Sequence, residues 1–284
     1  MLQYSIMRRL GVHTSIAGGL HLSLERAHEL RCTTMQIFSH NPRGWAVKEI
    51  SGKDRELFHR LKKELDISPV YIHTSYLINM ASQSKILRRK SINLLKEEME
   101  RADALGAEYV ILHTGSAAHD DKKAARKRAV HALEAALKEG MWQAGLLLEN
   151  TAGAKGDITS EVAELAEIQG KLGSLVAGVC IDTCHAFQAG YNIKKPEGTG
   201  QLAEEIEKYL GRDSVKLIHL NDSKADTGHH RDRHEHIGRG YIGTKGLKAF
   251  VRHEMFLNVP IILETPKKTD TDDIRNLKAV RKFF

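Results

Sequence analysis

Short apolar runs recur along the chain, and each ends in polar residues before a segment with apolar residues at helical spacing. Eight of these runs predict strands, at residues 10–13, 34–38, 70–73, 109–113, 146–149, 178–182, 215–220 and 260–264. The runs are rich in leucine and β-branched residues and are nearly continuous in hydrophobicity. They therefore indicate parallel strands that are covered on both faces.

Two of the segments between the strands show the clearest helical pattern. Apolar residues at 87–105 form one stripe, which Gly106 ends in the C-cap position, and those at 125–137 form another, which Gly140 ends. A strand followed by a helix, eight times over, predicts an α/β fold: a (β/α)8 TIM barrel that occupies residues 1–284 as a single domain. An open, doubly wound sheet would show the same alternation, but the count of eight favours the barrel.

The ends of the predicted strands carry the chemistry. The third to the eighth strand each end on or beside a residue of a metal-ligating type, namely His73, His113, Glu149, Asp182, His219 and Glu264. Successive members of this set are separated by about one strand–helix unit. Because the carboxyl ends of all barrel strands converge on one face, the spacing predicts that these side chains share one pocket. An open sheet would spread them in a row.

Three more residues of the same types follow these strand ends closely. His185 comes one helical turn after Asp182, while Asp232 and His234 alternate, so both can point the same way in an extended loop. Nine converging carboxylates and imidazoles would repel one another and lose solvation unless cations were bound among them. Nitrogen and oxygen ligands suit Zn²⁺, Mn²⁺ or Fe²⁺, and histidine-rich sites favour zinc. Nine ligands also exceed the needs of one ion, which indicates at least two.

Composition narrows the class of protein further. Apolar residues make up 41% of the chain and charged residues 28%, which excludes a disordered protein. The formal net charge of +7 favours an anionic partner without identifying it. An odd set of three cysteines argues against a disulfide scaffold and for a reducing compartment. Two of them, Cys180 and Cys184, are expected to be buried in or beside a strand rather than to bind metal.

The sequence also predicts a cytoplasmic protein without a membrane segment. No apolar run approaches the ~18 residues that a membrane-spanning helix needs. The opening residues, MLQYSIMRRL, lack the apolar region of a secretion signal.

Nine short motifs run in order from the first predicted strand to the last and together extend over essentially the whole chain. They are HTSIAGG (13–19), FSHNPRGW (38–45), HTSYLINM (73–80), LHTGS (112–116), LLLENTAG (146–153), GVCIDTCHAFQAGY (178–191), HLNDSK (219–224), DRHEHIGRGYIG (232–243) and PIILETP (260–266). In these motifs the chain resembles the endonuclease IV family of abasic-site DNA-repair enzymes. All nine ligand positions of the family pattern hold the expected type of residue.

The resemblance implies a site with three Zn²⁺ ions. Glu149 would bridge two ions, and the remaining ligands would be His73 and His113 for the first ion, Asp182, His219 and Glu264 for the second, and His185, Asp232 and His234 for the third. The implied reaction cuts the phosphodiester 5′ to an abasic nucleotide in duplex DNA and leaves a 3′-hydroxyl and a 5′-deoxyribose phosphate. Many members of the family also trim blocked 3′ ends.

Elementary electrostatics is consistent with that reaction. Three dications against four carboxylates leave a formal charge of about +2, which suits a phosphodiester that gains negative charge in its transition state. Paired metals can stabilise the attacking and the leaving oxygen of an in-line displacement, and bound water becomes hydroxide near neutral pH. Glu149 would fix the spacing of the metal pair and help to orient this nucleophile, so it is the predicted catalytic residue.

Two loops on the same face carry residues that a small-molecule enzyme does not need. The resemblance implies that Arg43, Tyr76 and Leu77 enter the minor groove of DNA, where wedge side chains bend a duplex and help to extrude a nucleotide. Packing of Trp45 and Leu77 beneath their loops is the alternative. Basic runs at 85–90 and 122–128 are predicted on outer helices as solvated faces.

Three questions stay open at the level of sequence. The family commonly has Pro and a second His in the motif that reads HTGSA here, where Thr114 and Ala117 stand instead, and we expect this departure to tune the activity. A sugar isomerase or epimerase is the main alternative function, because that class uses a related metal-binding barrel. A non-catalytic DNA-binding protein is a third interpretation, against which the intact ligand set argues. We expect a monomer.

Overall fold

Eight parallel strands surround a common axis in the computed structural model, which describes residues 8–284. The barrel strands are β1 (Leu10–Val12), β2 (Met35–Ile37), β3 (Val70–His73), β4 (Tyr109–Leu112), β5 (Gly145–Glu149), β6 (Gly178–Asp182), β7 (Val215–His219) and β10 (Ile261–Leu263). Each overlaps one of the eight predicted runs. Part of the opening segment, whose composition argued against a secretion signal, falls at residues 1–7 and thus outside the described residues.

The strand order shows that the sheet closes on itself. Neighbouring strands pair in the order β1–β10–β7–β6–β5–β4–β3–β2, and all seven ladders are parallel. At the seam between β1 and β2, His13 and Gln36 form a parallel bridge. The Thr14 N–H donates to the Gln36 carbonyl at 2.8 Å across the same seam. The predicted TIM barrel is therefore confirmed, and the open doubly wound sheet is excluded.

Helices connect the strands around the outside. They are α1 (Leu22–Glu29), α2 (Gly52–Glu64), α3 (Lys85–Leu105), α4 (Lys122–Leu137), α5 (Val162–Leu172), α6 (Thr183–Ala189), α7 (Pro196–Tyr209), α8 (Gly243–Arg252) and α9 (Asp272–Arg281). A separate antiparallel pair, β8 (Asp222–Ser223) and β9 (His234–Glu235), lies outside the barrel. The sequence pattern did not predict this pair, since each of its strands has only two residues.

The two helix ends predicted from glycines had different outcomes. Gly106 caps α3 in the left-handed conformation at φ 61° and ψ 32°, as predicted. The prediction for Gly140 was wrong, because α4 ends at Leu137 and Lys138 is its C-cap in a right-handed conformation. Gly140 instead leaves room for the ring of Trp142. A Cβ added at position 140 would lie 2.1 Å from an atom of that ring.

The barrel interior contains an apolar layer. It comprises six fully buried side chains, one from each of β3, β4, β5, β6, β7 and β10: Tyr71, Ile111, Leu147, Cys180, Leu217 and Ile262. The adjacent strand residues, such as Ile72 and Leu148, belong instead to the larger cluster that packs under the helices. This alternation follows from the pleat, which turns successive side chains to opposite faces.

Within residues 8–284, no helix combines the length and the apolar character that a bilayer crossing requires.

The seam between β1 and β2 yields a test of the packing. A Cβ added to Gly11 would lie 1.9 Å from the Thr34 carbonyl oxygen, so the two strands can approach only because this position has no side chain. We expect Gly11→Ala to lower the free energy of unfolding by about 3 kcal/mol, as overpacking does in tight sites. Gly170→Ala is the matched control, because no atom lies within 4 Å of its added Cβ on α5. It should stabilise the protein by about 0.5–1 kcal/mol. Urea unfolding of the wild type and the two variants at equal metal loading measures both changes. A Gly11→Ala variant as stable as the wild type would contradict the packing argument.

Candidate metal centre

The pleat that creates the apolar layer also creates the site above it. Six residues with ligand side chains lie two positions after a member of that layer, at the carboxyl ends of the same strands: His73, His113, Glu149, Asp182, His219 and Glu264. Because strand residues two apart face the same way, these side chains follow the layer inside the barrel. The apolar layer is thus the floor of a polar crater, and the structure brings the predicted residues together.

Glu149 is at the centre of the crater and is fully buried. Its Oε2 lies 3.0 Å from Nε2 of His113 and 3.3 Å from Nε2 of His73. Its Oε1 lies 2.9 Å from Nδ1 of His219 and 3.4 Å from Nδ1 of His185. One carboxylate therefore faces two different groups of histidines with its two oxygens.

The donor atoms form three groups with the spacing of metal sites. In each group one nitrogen or oxygen per residue lies within 4.8 Å of all the others. The groups are His73, His113 and Glu149; Glu149, Asp182, His219 and Glu264; and His185, Asp232 and His234. These are the sets that the family resemblance implied, with Glu149 common to the first two.

The third group depends on a loop rather than on the strands. Asp232 precedes β9, and its side chain is 53% exposed. Its Oδ1 lies 3.2 Å from Nε2 of His185 and 3.4 Å from Nε2 of His234. β9 is held by its pairing with β8, and the loop that follows β9 is anchored by buried Asp222 on β8, whose carboxylate accepts from the backbone N–H groups of Gly238, Gly240, Ile242 and Gly243. This role accounts for the glycine-rich motif that follows His234.

Backbone carbonyls determine which ring nitrogen three of the histidines present. Nδ1 of His73 donates to the Thr74 carbonyl and Nδ1 of His185 to the Asn150 carbonyl, each at 2.9 Å. Nδ1 of His234 donates to the backbone carbonyl of Glu264 at 3.1 Å. A carbonyl only accepts, so each Nδ1 carries hydrogen, and in the neutral ring each Nε2 presents its lone pair. Metal-binding histidines are commonly oriented in this way.

Two of these Nε2 atoms also lack any other partner. Those of His185 and His234 are buried and form no hydrogen bond with the part of the chain described here. A buried nitrogen with an unshared lone pair is costly unless something binds it. Together with the surrounding carboxylates, this donor set fits a divalent transition metal.

Electrostatics keeps the central carboxylate ionised despite its burial. Desolvation opposes the charged form of Glu149, but the imidazoles of His219 and His113 outweigh it and hold the pKa of Glu149 well below its usual range. The same competition lowers the pKa of Asp232, chiefly through His185. Glu149 and Asp232 are therefore negatively charged at neutral pH and ready to bind a cation.

The histidines respond in the opposite direction. Burial disfavours protonation of His185, but Asp182 and Asp232 raise its pKa well above the usual value. Burial acts in the same way on His219, yet the neighbouring Cys180, followed by Glu264 and Glu149, raises its pKa well above the usual value. Without metal, the crater is thus held together by imidazolium–carboxylate pairs.

Two cysteines lie near these groups. Cys180 is within reach of Glu149 and His219, and Cys184 is within reach of Asp182 and His234. Burial raises the pKa of each thiol to about 12. A protonated thiol is a poor ligand, which supports the prediction that neither cysteine binds metal.

The crater opens into a cavity of about 880 Å³ whose wall includes residues of the predicted DNA loops. Tyr76 lines it, is 68% exposed, and places its ring edge-on to Phe38 at a centroid distance of 5.1 Å. Arg43 is exposed on the neighbouring loop, whereas Leu77 is half-buried. Trp45 packs against the core, as the alternative interpretation of that residue expected.

The basic residues divide into structural and accessible ones. In the second basic run, Arg126 pairs with Glu164 and Glu167 on α5, at 2.8 and 2.6 Å, and therefore joins two outer helices. Lys267 instead lines the cavity, where its Nζ also lies 2.6 Å from Asp273.

Four polar residues that support the site were not singled out in the sequence: Gln36, Asn150, Asn221 and Asp222. The Asn150 amide donates to the Asp182 carbonyl and accepts from its N–H, while Asn221 donates to the Asp182 carboxylate at 2.6 Å. Both asparagines follow a ligand-bearing strand by one or two residues, and Gln36 interrupts an apolar run. A polar residue just after a ligand-bearing strand, or within an apolar run, is the sequence signal that identifies such supporting residues.

Thr114 and Ala117, the two residues that depart from the family pattern, are linked to the site only through other residues. Thr114 is buried, and its hydroxyl donates to Thr159 at 3.2 Å. The Thr159 hydroxyl lies 3.3 Å from the Glu149 carbonyl, to which it donates. Ala117 is buried and its backbone pairs with Gly156. The effect of the departure on activity stays a prediction.

Comparison with known proteins adds independent information. A family model described as "Xylose isomerase-like TIM barrel" matches residues 24–283. The chain is 41% identical over 277 residues to a protein of Halothermothrix orenii named "Probable endonuclease 4", with 96% of this chain and 99% of that protein covered. The crystal structure of endonuclease IV from Thermus thermophilus matches with a TM-score of 0.86 and 34% identity, over 97% of this chain and 98% of that one. A D-tagatose 3-epimerase-like protein has a TM-score of 0.74 at 18% identity, over 97% and 96%, and so shares the fold.

The raised histidine pKa values predict proton release when metal binds. At pH 7, His185 and His219 carry a proton in the metal-free protein, and a metal ion needs the neutral ring. Adding Zn²⁺ to the metal-free protein should therefore release at least about two protons per chain, one each from His185 and His219, with a further contribution from His73, whose pKa is also raised. The release should diminish once the pH exceeds the raised pKa values. Calorimetry in buffers of different ionisation enthalpy measures the count, and a count of zero at pH 7 would refute the assignment of charges.

Proposed function

This chain belongs to the endonuclease 4 family, and from that premise we propose that it is an abasic-site endonuclease of base excision repair. It would hydrolyse the phosphodiester 5′ to an abasic nucleotide in duplex DNA and leave a 3′-hydroxyl and a 5′-deoxyribose phosphate. The observation that carries the proposal is the meeting of three ligand groups around buried Glu149, at the floor of an open cavity. Trimming of blocked 3′ ends would use the same site.

Three divalent ions, which we propose to be Zn²⁺, would bind the three groups of the crater. The free lone pairs on His185 and His234, the ionised carboxylates and the protonated thiols all support nitrogen and oxygen ligation. The ions would supply Lewis-acid stabilisation of phosphoryl oxygens and would activate a water molecule.

The protein's own residues would position the metal ions and balance their charge. Glu149 would bridge the first two groups, because its two oxygens face His113 and His219 separately. Its burial between the floor layer and the imidazoles prevents it from swinging into solvent, so the distance between the two groups would stay constant. The four ligand carboxylates would leave a small positive excess for the phosphodiester.

The rim of the cavity would select damaged DNA. Tyr76 stands exposed and is supported from one side by Phe38, as a side chain that enters a groove needs to be. Arg43 and Leu77 would enter the minor groove beside it. An abasic nucleotide has no base to unstack, so its extrusion into the cavity costs less than that of an intact nucleotide. Damage selectivity would then need little reading of bases.

A sugar epimerase is the less favoured function. At 18% identity, the epimerase-like structure shares the fold with this chain and supports nothing further. A DNA substrate gives a function to the third ligand group and to the exposed side chains of Arg43 and Tyr76. A free sugar substrate does not.

We further propose that the protein acts as a cytoplasmic monomer, in line with the expectations from its sequence.

An abasic-site assay tests the proposed function. The purified chain should nick a duplex oligonucleotide at an abasic site, should leave the intact duplex and a panel of sugars unchanged, and should lose activity on zinc chelation. Glu149→Gln should still bind the abasic duplex, but its kcat should fall at least ~100-fold, because the variant lacks the bridging charge. The metal content of both proteins is measured in parallel. An unchanged kcat would refute the bridging role, and turnover of a sugar without nicking would refute the nuclease.

The role of the rim is tested separately. Tyr76→Ala should weaken binding of abasic duplex by ~5- to 150-fold, since removal of a stacking side chain typically costs 1–3 kcal/mol. The kcat at saturating DNA should change little, because Tyr76 is not among the proposed ligands. Tyr241→Ala is a matched control, as Tyr241 is also exposed but does not line this cavity. Equal affinities of wild type and Tyr76→Ala would remove the wedge from the proposal.

A further inference from the structure

One ligand histidine is held differently from the others. His73, His185 and His234 each donate Nδ1–H to a backbone carbonyl. His219 instead presents Nδ1 to the ligand carboxylates, at 2.9 Å from Glu149 and 3.3 Å from Glu264. Its other ring nitrogen, Nε2, lies 2.6 Å from a side-chain amide oxygen, that of Gln36. The ring is thus turned relative to the other three, and only a side chain holds its Nε2.

The contacts of Gln36 leave one assignment of its amide atoms. Nε2 of Gln36 lies 2.6 Å from Oε1 of Glu264, and a carboxylate accepts hydrogen bonds without donating any. The amide nitrogen must therefore face Glu264, and the amide oxygen must face His219. An amide oxygen in turn requires a hydrogen on Nε2 of His219. The lone pair of the neutral ring is then on Nδ1, directed at Glu149 and Glu264.

We propose that Gln36 is a positioning residue of the metal centre, which selects the His219 tautomer that presents Nδ1 to the ion of the second group. The amide nitrogen of Gln36 also donates to Oε1 of Glu264. The other oxygen of that carboxylate, Oε2, therefore stays next to His219. Gln36 would thus orient two of the ligands of one ion without binding it. This inference rests on the metal site of the proposed function but not on its substrate.

The location of Gln36 suits this role. The residue is fully buried on β2, and its backbone forms the bridge to His13 that closes the barrel. Its amide nitrogen also lies 2.9 Å from Nδ1 of His13, so both amide hydrogens have acceptors. With all of its polar atoms in use and its backbone in the seam, the side chain has no alternative orientation that keeps these bonds. The seam of the barrel and the second ligand group are therefore coupled through one residue.

Metal binding by Gln36→Met tests the proposal. Methionine has a similar volume but cannot bond to His219 or Glu264. We expect one of the three Zn²⁺ ions to bind about 10- to 100-fold more weakly, the usual effect of losing an outer partner of a ligand, while the other two stay bound. Competition with a chromophoric chelator gives the affinities, and mass spectrometry gives the ions per chain. Gln169→Met, a half-buried glutamine on α5, is the matched control.

A spectroscopic measurement separates positioning from a merely structural role. In zinc-loaded wild type, ¹⁵N NMR should show His219 protonated at Nε2 and bound through Nδ1, whereas Gln36→Met should show a mixture of tautomers. Should Gln36→Met fail to fold, Gln36→Glu keeps the acceptor for His219 but loses the donor to Glu264, so it should keep the wild-type tautomer of His219. Wild-type zinc affinities in Gln36→Met would overturn the proposal, as would mixed tautomers in folded Gln36→Glu. Failure of the fully zinc-loaded wild type to nick abasic duplex DNA would count against the proposed function instead.

Discussion

The structure depends on one electrostatic constraint, namely that nine ionisable side chains share a crater in which five of them are buried. An isolated buried carboxylate is costly, and Glu149 is fully buried. It stays ionised because imidazoles approach both of its oxygens. Without metal, the raised pKa values of His185 and His219 favour protonated rings that balance this charge, and bound metal ions would take over that role. In either state, the carboxylates and the cationic groups are stable only in each other's presence.

The barrel satisfies this constraint with the period of the β-strand. Inside each of six strands an apolar residue is followed two positions later by a ligand, so that Leu147 supports Glu149 and Leu217 supports His219. The apolar floor excludes water from below and strengthens each charge interaction above it. The same alternation sends intervening residues such as Leu148 outward to the helices. A one-residue shift in register would exchange the two sets, and this is why the ligand positions and the core are determined together.

Much of this arrangement could be predicted from the sequence, because the strands and their terminal ligands are properties of local pattern. The eight runs, the Gly106 cap and the convergence of ligands at the strand ends need only periodicity and the geometry of a barrel. What was missed depends on partners far away in the chain. Gln36 has no local reason to be polar, since its bonds go to Glu264 and His219. Gly140 is a different case, because its partner is local: it resembles a helix cap in sequence, but its small size serves the ring of Trp142, two residues later.

The three ligand groups differ in how firmly the fold holds them, and the difference follows from the elements that carry them. The first two groups are at or beside barrel strand ends and share Glu149, so the barrel itself fixes their separation. In the third group, Asp232 and His234 lie on or beside a two-residue strand outside the barrel. Within residues 8–284 that strand pairs only with β8, and the glycine-rich loop after it is held by Asp222, which accepts from four backbone N–H groups of the loop. Two ligand groups whose spacing the barrel fixes thus lie beside a third group whose position a loop controls, and members of all three groups line the cavity.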